Sequence, residues 1–265
     1  MKKQLTGIIL GCGSSGGVPR INGNWGICNP NNPKNMRTRC SLAVECEGNY
    51  IAIDTSPEFR MQMIREKIHA IKAVLYTHDH ADQAHGIDDV RAYSDMGRMP
   101  VPCYADPITS NILRKRFDYI FHQESHSEYP AVMSLNNFTD YEPFQIKNFS
   151  DVNITAFEAP HGRIIARGFI IGNMAYSPDV NGLSDKTLER LKKCDIWVVD
   201  CLRYKKHNTH ANLEQVLQWH EIVQPKQMIL TNLHIDFDYE TLSKELPNGI
   251  IPAYDGLRFT FNDTH

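Results

Sequence analysis

Ala73-Val74-Leu75-Tyr76-Thr77-His78-Asp79-His80-Ala81-Asp82-Gln83-Ala84-His85-Gly86 decides how this chain is read. Its apolar start has the length and composition of a buried strand, and its polar residues gather where that strand ends. Residues two apart in an extended segment point the same way, so His78 and His80 converge on one ion. Imidazole suits zinc, iron and manganese, and Asp82 adds a carboxylate nearby. A lone His-x-His is better explained as a polar turn with surface histidines. His-x-His-x-Asp at the end of a buried strand favours a metal.

Two stretches further along end in the same manner. Glu158-Ala159-Pro160-His161-Gly162 closes on a histidine, and Tyr176-Ser177-Pro178-Asp179 closes on a carboxylate. Each alone reads as a capped loop. Beside His78, His80 and Asp82 they supply a third imidazole and a second carboxylate, a set that holds a catalytic metal while leaving a position open for water.

Around these motifs, short apolar runs predict strands at residues 7–10, 41–46, 50–54, 73–77, 152–158, 168–171, 173–176, 196–200 and 228–231. Amphipathic spacing predicts helices at 57–67, 108–121, 184–193, 211–223 and 239–245. Pro57 suits a first helical turn, and Ser184-Asp185 and Asn208-Thr209 read as helix starts. Strands alternating with helices imply sheets covered by helices. Chemistry in such folds collects at strand ends, where Asp54, His78, His161, Asp179, Asp200 and Asn232 fall.

Composition narrows the function classes. The 265 residues allow one large α/β domain or two small ones. A formal charge of -3 offers no basic surplus for nucleic acid or an anionic membrane. Ile8-Ile9-Leu10 is too short for a secretory core or a membrane span. The 7 cysteines are scattered and odd in number, which reads as reduced thiols in a cytoplasm.

His-x-His-x-Asp, then His161, then Ser177-Pro178-Asp179, then Thr231-Asn232-Leu233-His234 resembles the metallo-β-lactamase superfamily. Leu10-Gly11-Cys12-Gly13-Ser14-Ser15-Gly16-Gly17-Val18-Pro19, Arg37-Thr38-Arg39-Cys40-Ser41 and Ala253-Tyr254-Asp255-Gly256 are similar to its PhnP-like branch, named for the phosphoribosyl cyclic phosphodiesterase of phosphonate breakdown. The resemblance runs from about residue 7 to residue 260. It implies one α/β domain over 1–265, a four-layer αββα sandwich with metals at the edge between two sheets. By position, it assigns His78, His80 and His161 to a first metal and Asp179 to a bridge. Asp82 falls on the side of a second metal, and His210, in Thr209-His210-Ala211-Asn212-Leu213, matches the catalytic histidine.

The chain departs from that pattern twice. Gln83 stands where His-x-His-x-Asp-His ends, and Asn232 stands where Ile-Leu-Thr-His ends. An amide oxygen is a hard, weak ligand, poor for zinc. The expectation is one firmly bound divalent ion, manganese or zinc, and a poorly provided second position. His234 and, less directly, His85 are the nearby histidines that could substitute. Cys28 alone after Val18-Pro19 cannot make a tetrahedral thiolate site, so no structural zinc is expected.

The glycine-rich loop after the first strand lacks a Walker ending. It reads either as a tight turn or as a wall that brings Ser14, Ser15 and backbone N–H groups to a phosphate. Arg37, Arg39, Arg167 and Arg203 are candidates to grip phosphate oxygens. The reaction implied is hydrolysis of a small cyclic or linear nucleotide-like phosphodiester. Asp82 and Asp179 would orient the water, and His210 would protonate the leaving oxygen. A phosphate- or nucleotide-binding protein without turnover and a thioester or lactone hydrolase are the alternatives. A tRNA-processing nuclease shares the metal set, but the charge gives no counterion-release drive for a long polyanion. The partners expected are a small phosphate ester and, by self-association, a homodimer; no nucleic acid or membrane is expected.

Overall fold

The computed structural model describes residues 3–97, 99–123, 130–149 and 151–263. Its strands are β1 (Gln4–Gly11), β2 (Ser41–Cys46), β3 (Asn49–Ile53), β4 (Ala73–Leu75), β5 (Val101–Ala105), β6 (Met133–Asn137), β7 (Pro143–Phe144), β8 (Ile154–His161), β9 (Ile164–Ile171), β10 (Met174–Ser177), β11 (Ile196–Asp200), β12 (Gln227–Thr231), β13 (Ile250–Pro252) and β14 (Arg258–Asn262). The helices are α1 (Phe59–Arg65), α2 (Ala81–Ala84), α3 (Arg91–Gly97), α4 (Pro107–Arg116), α5 (Asp118–Phe121), α6 (Asp185–Leu191), α7 (Leu213–Val223) and α8 (Tyr239–Glu245). The strands form two seven-stranded sheets, ordered β14-β1-β2-β3-β4-β5-β6 and β13-β12-β11-β10-β9-β8-β7.

Strand periodicity explains the layering. Ile196 and Val198 of β11 face the space between the sheets, whereas Trp197 and Val199 face outward. In β1, Ile9 joins the inter-sheet core while Ile8 and Leu10 face the other way. Because neighbouring side chains on a strand alternate faces, both sheets are apolar on both sides and both need covering. Phe59 and Met63 of α1, Leu113 of α4 and Ile120 of α5 cover the first sheet. Leu191 of α6, Val216 and Trp219 of α7 and Leu242 of α8 cover the second. The result is the expected αββα sandwich.

Several expected boundaries move. The helix expected over 108–121 divides into α4 and α5 at Phe117, whose φ of -128° and ψ of 46° are not helical. Asn208-Thr209 does not start a helix; α7 begins at Leu213, with Asn212 as its N-cap. Pro57 lies in the turn before α1. Ser184 does cap α6, its hydroxyl accepting from Thr187 N–H at 3.2 Å. Strands β5, β6, β7, β13 and β14 were not expected. Pro102 and Pro252 disguise β5 and β13, because a proline inside a run argues against a strand. The parallel pairs β3–β4, β10–β11 and β11–β12 bring their C-terminal ends to one edge of the sandwich.

Candidate metal centre

The imidazoles of His78, His80 and His161 meet at that edge. Their ring centroids are 4.5, 5.4 and 5.2 Å apart pairwise. One nitrogen from each lies within 4.8 Å of the others. The ring orientations are fixed from behind. His78 Nδ1 lies 3.0 Å from Thr77 Oγ1, which donates to Asp54 Oδ2 at 2.8 Å, while Thr77 N–H donates to Asp54 Oδ1 at 2.8 Å. His161 Nδ1 donates to the Thr209 carbonyl at 2.6 Å. These contacts leave the Nε2 atoms of His78 and His161 as the ligating nitrogens, the usual arrangement behind a metal-bound histidine.

The donor set fits a divalent ion. His78 Nε2 is buried and has no hydrogen-bond partner among the described residues. A buried polar atom left this way costs about 1–3 kcal/mol unless something binds it. Burial, followed by the charges of neighbouring histidines, holds the His78 pKa well below its ordinary value. Burial likewise lowers His161 to about 4, with His210 adding to the effect. Neutral imidazole is the form that binds metal.

The other side of the centre is different. Asp179 is buried, and its two oxygens face two amides. Gln83 Nε2 donates to Oδ2 at 2.9 Å and Asn232 Nδ2 to Oδ1 at 3.4 Å, with a second Asn232 bond to the Pro178 carbonyl at 2.9 Å. The amides thus present N–H to the carboxylate. Gln83 Oε1 is left buried without a partner among the described residues, a hard oxygen that suits only a weakly held ion. His161, Asp179 and His210 form a second group of converging ligand atoms, sharing His161 with the first.

His210 carries the charge that this side otherwise lacks. Its Nδ1 donates to Asp200 Oδ2 at 2.8 Å and lies 3.7 Å from Asp179 Oδ1. Burial opposes the imidazolium, but the carboxylates of Asp200, Asp179 and Asp82 outweigh it and raise the pKa to about 9. His210 is therefore protonated at neutral pH. Asp200 also accepts from Val180 N–H at 3.0 Å, so the carboxylate that aims His210 is itself fixed.

A cleft of about 660 Å³ opens over these groups, lined by Ser15, His80, Asp82, His161, Gly162, Arg163, Ile164, Asp179, Asn208, Thr209 and His210. That volume matches a small-molecule site. Asp82 stands on the wall of the cleft, outside both groups of converging ligand atoms.

Other expected residues lie elsewhere. His234 lies between Arg20, at its Nε2, and Asp236 Oδ2, 3.1 Å from Nδ1, outside both groups of converging ligand atoms. His85 is exposed and packs edge-on against Phe117 at 5.7 Å. Arg37 is buried and donates to the His234 carbonyl at 3.3 Å and to Asn35 Oδ1 at 3.1 Å. Arg39 pairs with Glu58 at 2.7 Å and Arg167 with Asp140 at 2.8 Å. Arg203 donates to the carbonyls of Lys205 and Lys206. None of these four arginines lines the cleft. Ser15 does, whereas Ser14 is buried behind it. The N–H groups of Cys12, Gly13, Ser14 and Gly17 are bonded within the protein, so the glycine-rich loop is chiefly a close-packed turn.

Asp54, Thr77, Asp200 and Asn181 support the groups around the cleft and Arg163 lines it, contacts that the sequence did not reveal. Asp54 and Asp200 showed only as polar strand ends, and the hairpin signal in His161-Gly162-Arg163-Ile164, a Gly-x pair between apolar strands, could have placed Arg163.

A family model described as a β-lactamase superfamily domain matches residues 49–235. An octanoyltransferase of Porphyromonas gingivalis (strain ATCC BAA-308 / W83) is 32% identical over 254 residues, or 94% of this chain and 50% of that protein. The chain thus spans about half the length of that curated relative. The crystal structure of a diphosphatase from the PhnP family shares 32% identity, with a TM-score of 0.88 over 99% of each chain. Zn²⁺-bound PqqB from Methylobacterium extorquens, 18% identical, has the same fold, with a TM-score of 0.76 over 96% of this chain and 99% of that one. The family match and the end-to-end likeness agree with the histidine triad: the chain belongs to the metallo-β-lactamase superfamily, in its PhnP-like branch.

Proposed function

We propose that this protein is a metal-dependent hydrolase of small phosphate esters, with cyclic or linear nucleotide-like phosphodiesters as its substrates and one firmly held zinc or manganese ion. The observation that carries this reading is His210, tethered by Asp200 at 2.8 Å, on the same cleft as the converging imidazoles. His78, His80 and His161 would hold the ion, with Asp179 beside them. Bound there, a divalent ion supplies Lewis acidity to the phosphoryl oxygen and makes water more acidic.

The chain's own groups supply the rest. Asp82 takes the proton of the attacking water. Phosphorus gains the water oxygen as the ester P–O bond breaks, and His210 Nε2 gives its proton to the departing oxygen. A receptor without turnover has no use for an imidazolium aimed by a buried carboxylate. The diphosphatase name of the PhnP-family structure supports phosphorus as the centre attacked.

The test is metal analysis of protein purified without chelator, paired with assays on bis-p-nitrophenyl phosphate and cyclic nucleotides. Metal-dependent turnover is expected, and full activity after exhaustive chelation would overturn the proposal. The octanoyltransferase name of the half-matched relative favours one second reading, attack on an acyl carbonyl. Hydrolysis of an octanoyl thioester with no turnover of any phosphodiester would establish it in place of the first.

A further inference from the structure

The geometry points to Arg163 as the residue that grips the anionic group of the substrate. Resting on the phosphate-ester reading above, this assigns a role to a side chain not among the arginines that the sequence suggested. Among the described residues, Arg163 is the only lysine or arginine lining the cleft. It is exposed and has no hydrogen bond or ion pair among the described residues. Arg37, Arg39 and Arg167 are all bonded elsewhere in the protein.

The backbone fixes where this arginine stands. β8 and β9 pair up to His161↔Ile164, so Gly162 and Arg163 form a two-residue hairpin turn beside His161. Gly162 has φ +64°, which glycine adopts without strain at the first position of such a turn. A Cβ there would also come within 2.5 Å of Thr209 Cγ2. Asn181 joins the turn to the opposite wall. Its Oδ1 accepts from Gly162 N–H at 3.4 Å, and its Nδ2 donates to the Asn208 carbonyl at 2.6 Å. Asn181 N–H in turn donates to the Pro160 carbonyl at 2.7 Å. The turn bearing Arg163 and the loop bearing His210 are therefore held in one frame.

A guanidinium offers paired N–H donors that match two oxygens of a phosphate. Asp82 and Asp179 in the same cleft repel an anion, against the positive charge that His210 and a bound metal would bring. Arg163 offsets that repulsion at the rim. The ligand class is a phosphoryl group with at least two free oxygens.

The test is calorimetric titration of the metal-loaded protein with inorganic phosphate, comparing wild type, Arg163→Ala and Arg163→Lys, with metal content measured on each sample. Loss of a charge-assisted pair predicts about 10–100-fold weaker phosphate binding in Arg163→Ala. Arg163→Lys should fall between, since an ammonium keeps the charge and loses the fork. Metal content should be unchanged. Equal phosphate affinity in wild type and Arg163→Ala would overturn the assignment and leave the phosphate-ester reading standing. Loss of metal from both variants would make Arg163 a support of the turn and would also overturn it. A fully metal-loaded wild type that binds no phosphate would defeat the phosphate-ester reading itself.

Discussion

The two sides of the centre solve the same electrostatic problem by different means. On one side, His78 and His161 are kept neutral by burial and turned by Asp54–Thr77 and by the Thr209 carbonyl, and the exposed His80 converges with them. Nothing in that arrangement satisfies His78 Nε2, so the side is built for a cation from outside. On the other side, Asp179 is satisfied by Gln83, Asn232 and the nearby His210 imidazolium. There the protein supplies its own positive charge and its own hydrogen-bond donors. Asp179 thus finds its partners within the protein, where the imidazole side does not.

The largest effect should come from the imidazole side. His78→Ala removes one of three ligands whose outer partners alone are worth about 10–100-fold in metal affinity. It should lose metal by more than that factor and lose metal-dependent turnover with it, read by metal analysis after desalting. Retention of a full equivalent of metal would show that the imidazole side is not the binding side, and the contrast would collapse.

His210→Ala tests the opposite side. Turnover should fall by roughly 10²–10⁴-fold, the range for a lost general acid, while metal stays bound. The loss should shrink on p-nitrophenyl esters, because that leaving group departs without a proton. Equal losses on good and poor leaving groups would make His210 a structural partner of Asp179 and not a proton donor.

These predictions rest on features of unequal legibility. Strand cores such as Ile196–Asp200 were readable because two-residue alternation writes both faces into a short run. The triad was readable because His-x-His-x-Asp is local. Asp200 was visible only as a polar strand end. Its partner His210 approaches through the fold, across a loop with no periodicity of its own. Arg37 and Arg39 lie in a motif and looked functional, yet one is buried under the His234 carbonyl and the other is paired with Glu58. Arg163 stands outside any motif and faces the cleft. Sequence supplied the identity of Gln83 and Asn232 but not the direction of their amides, and that direction sets the character of the second side.

A smaller effect is expected one layer behind the triad. Asp54 has φ +63°, a conformation that asparagine also tolerates, so Asp54→Asn should leave the strand end in place. It replaces one of the two oxygens that accept from Thr77 with an amide N–H, and so loosens Thr77 and, through it, His78. Metal affinity should drop by about 10–100-fold with no change in fold by circular dichroism. Unchanged affinity would show that packing alone orients His78.

The smallest change concerns how many ions the chain holds. Gln83→His and Asn232→His together put imidazoles where two amides now donate to Asp179. Asn232 has φ +62°, a region where histidine is tolerated better than most residues, so the backbone need not move. The wild type should bind one transition ion tightly, and the double variant should approach two per chain. Each single variant should fall short of half the gain, because ligands to one ion are not additive. Nearby, the His210 charge works against a second dication, so filling the new site should also weaken the imidazolium's hold on its proton. Activity with poor leaving groups should then fall even as metal content rises. Two tightly held ions in the unmodified protein would mean that the amides turn their oxygens inward on metal binding, and the difference between the two sides would belong to the metal-free protein alone.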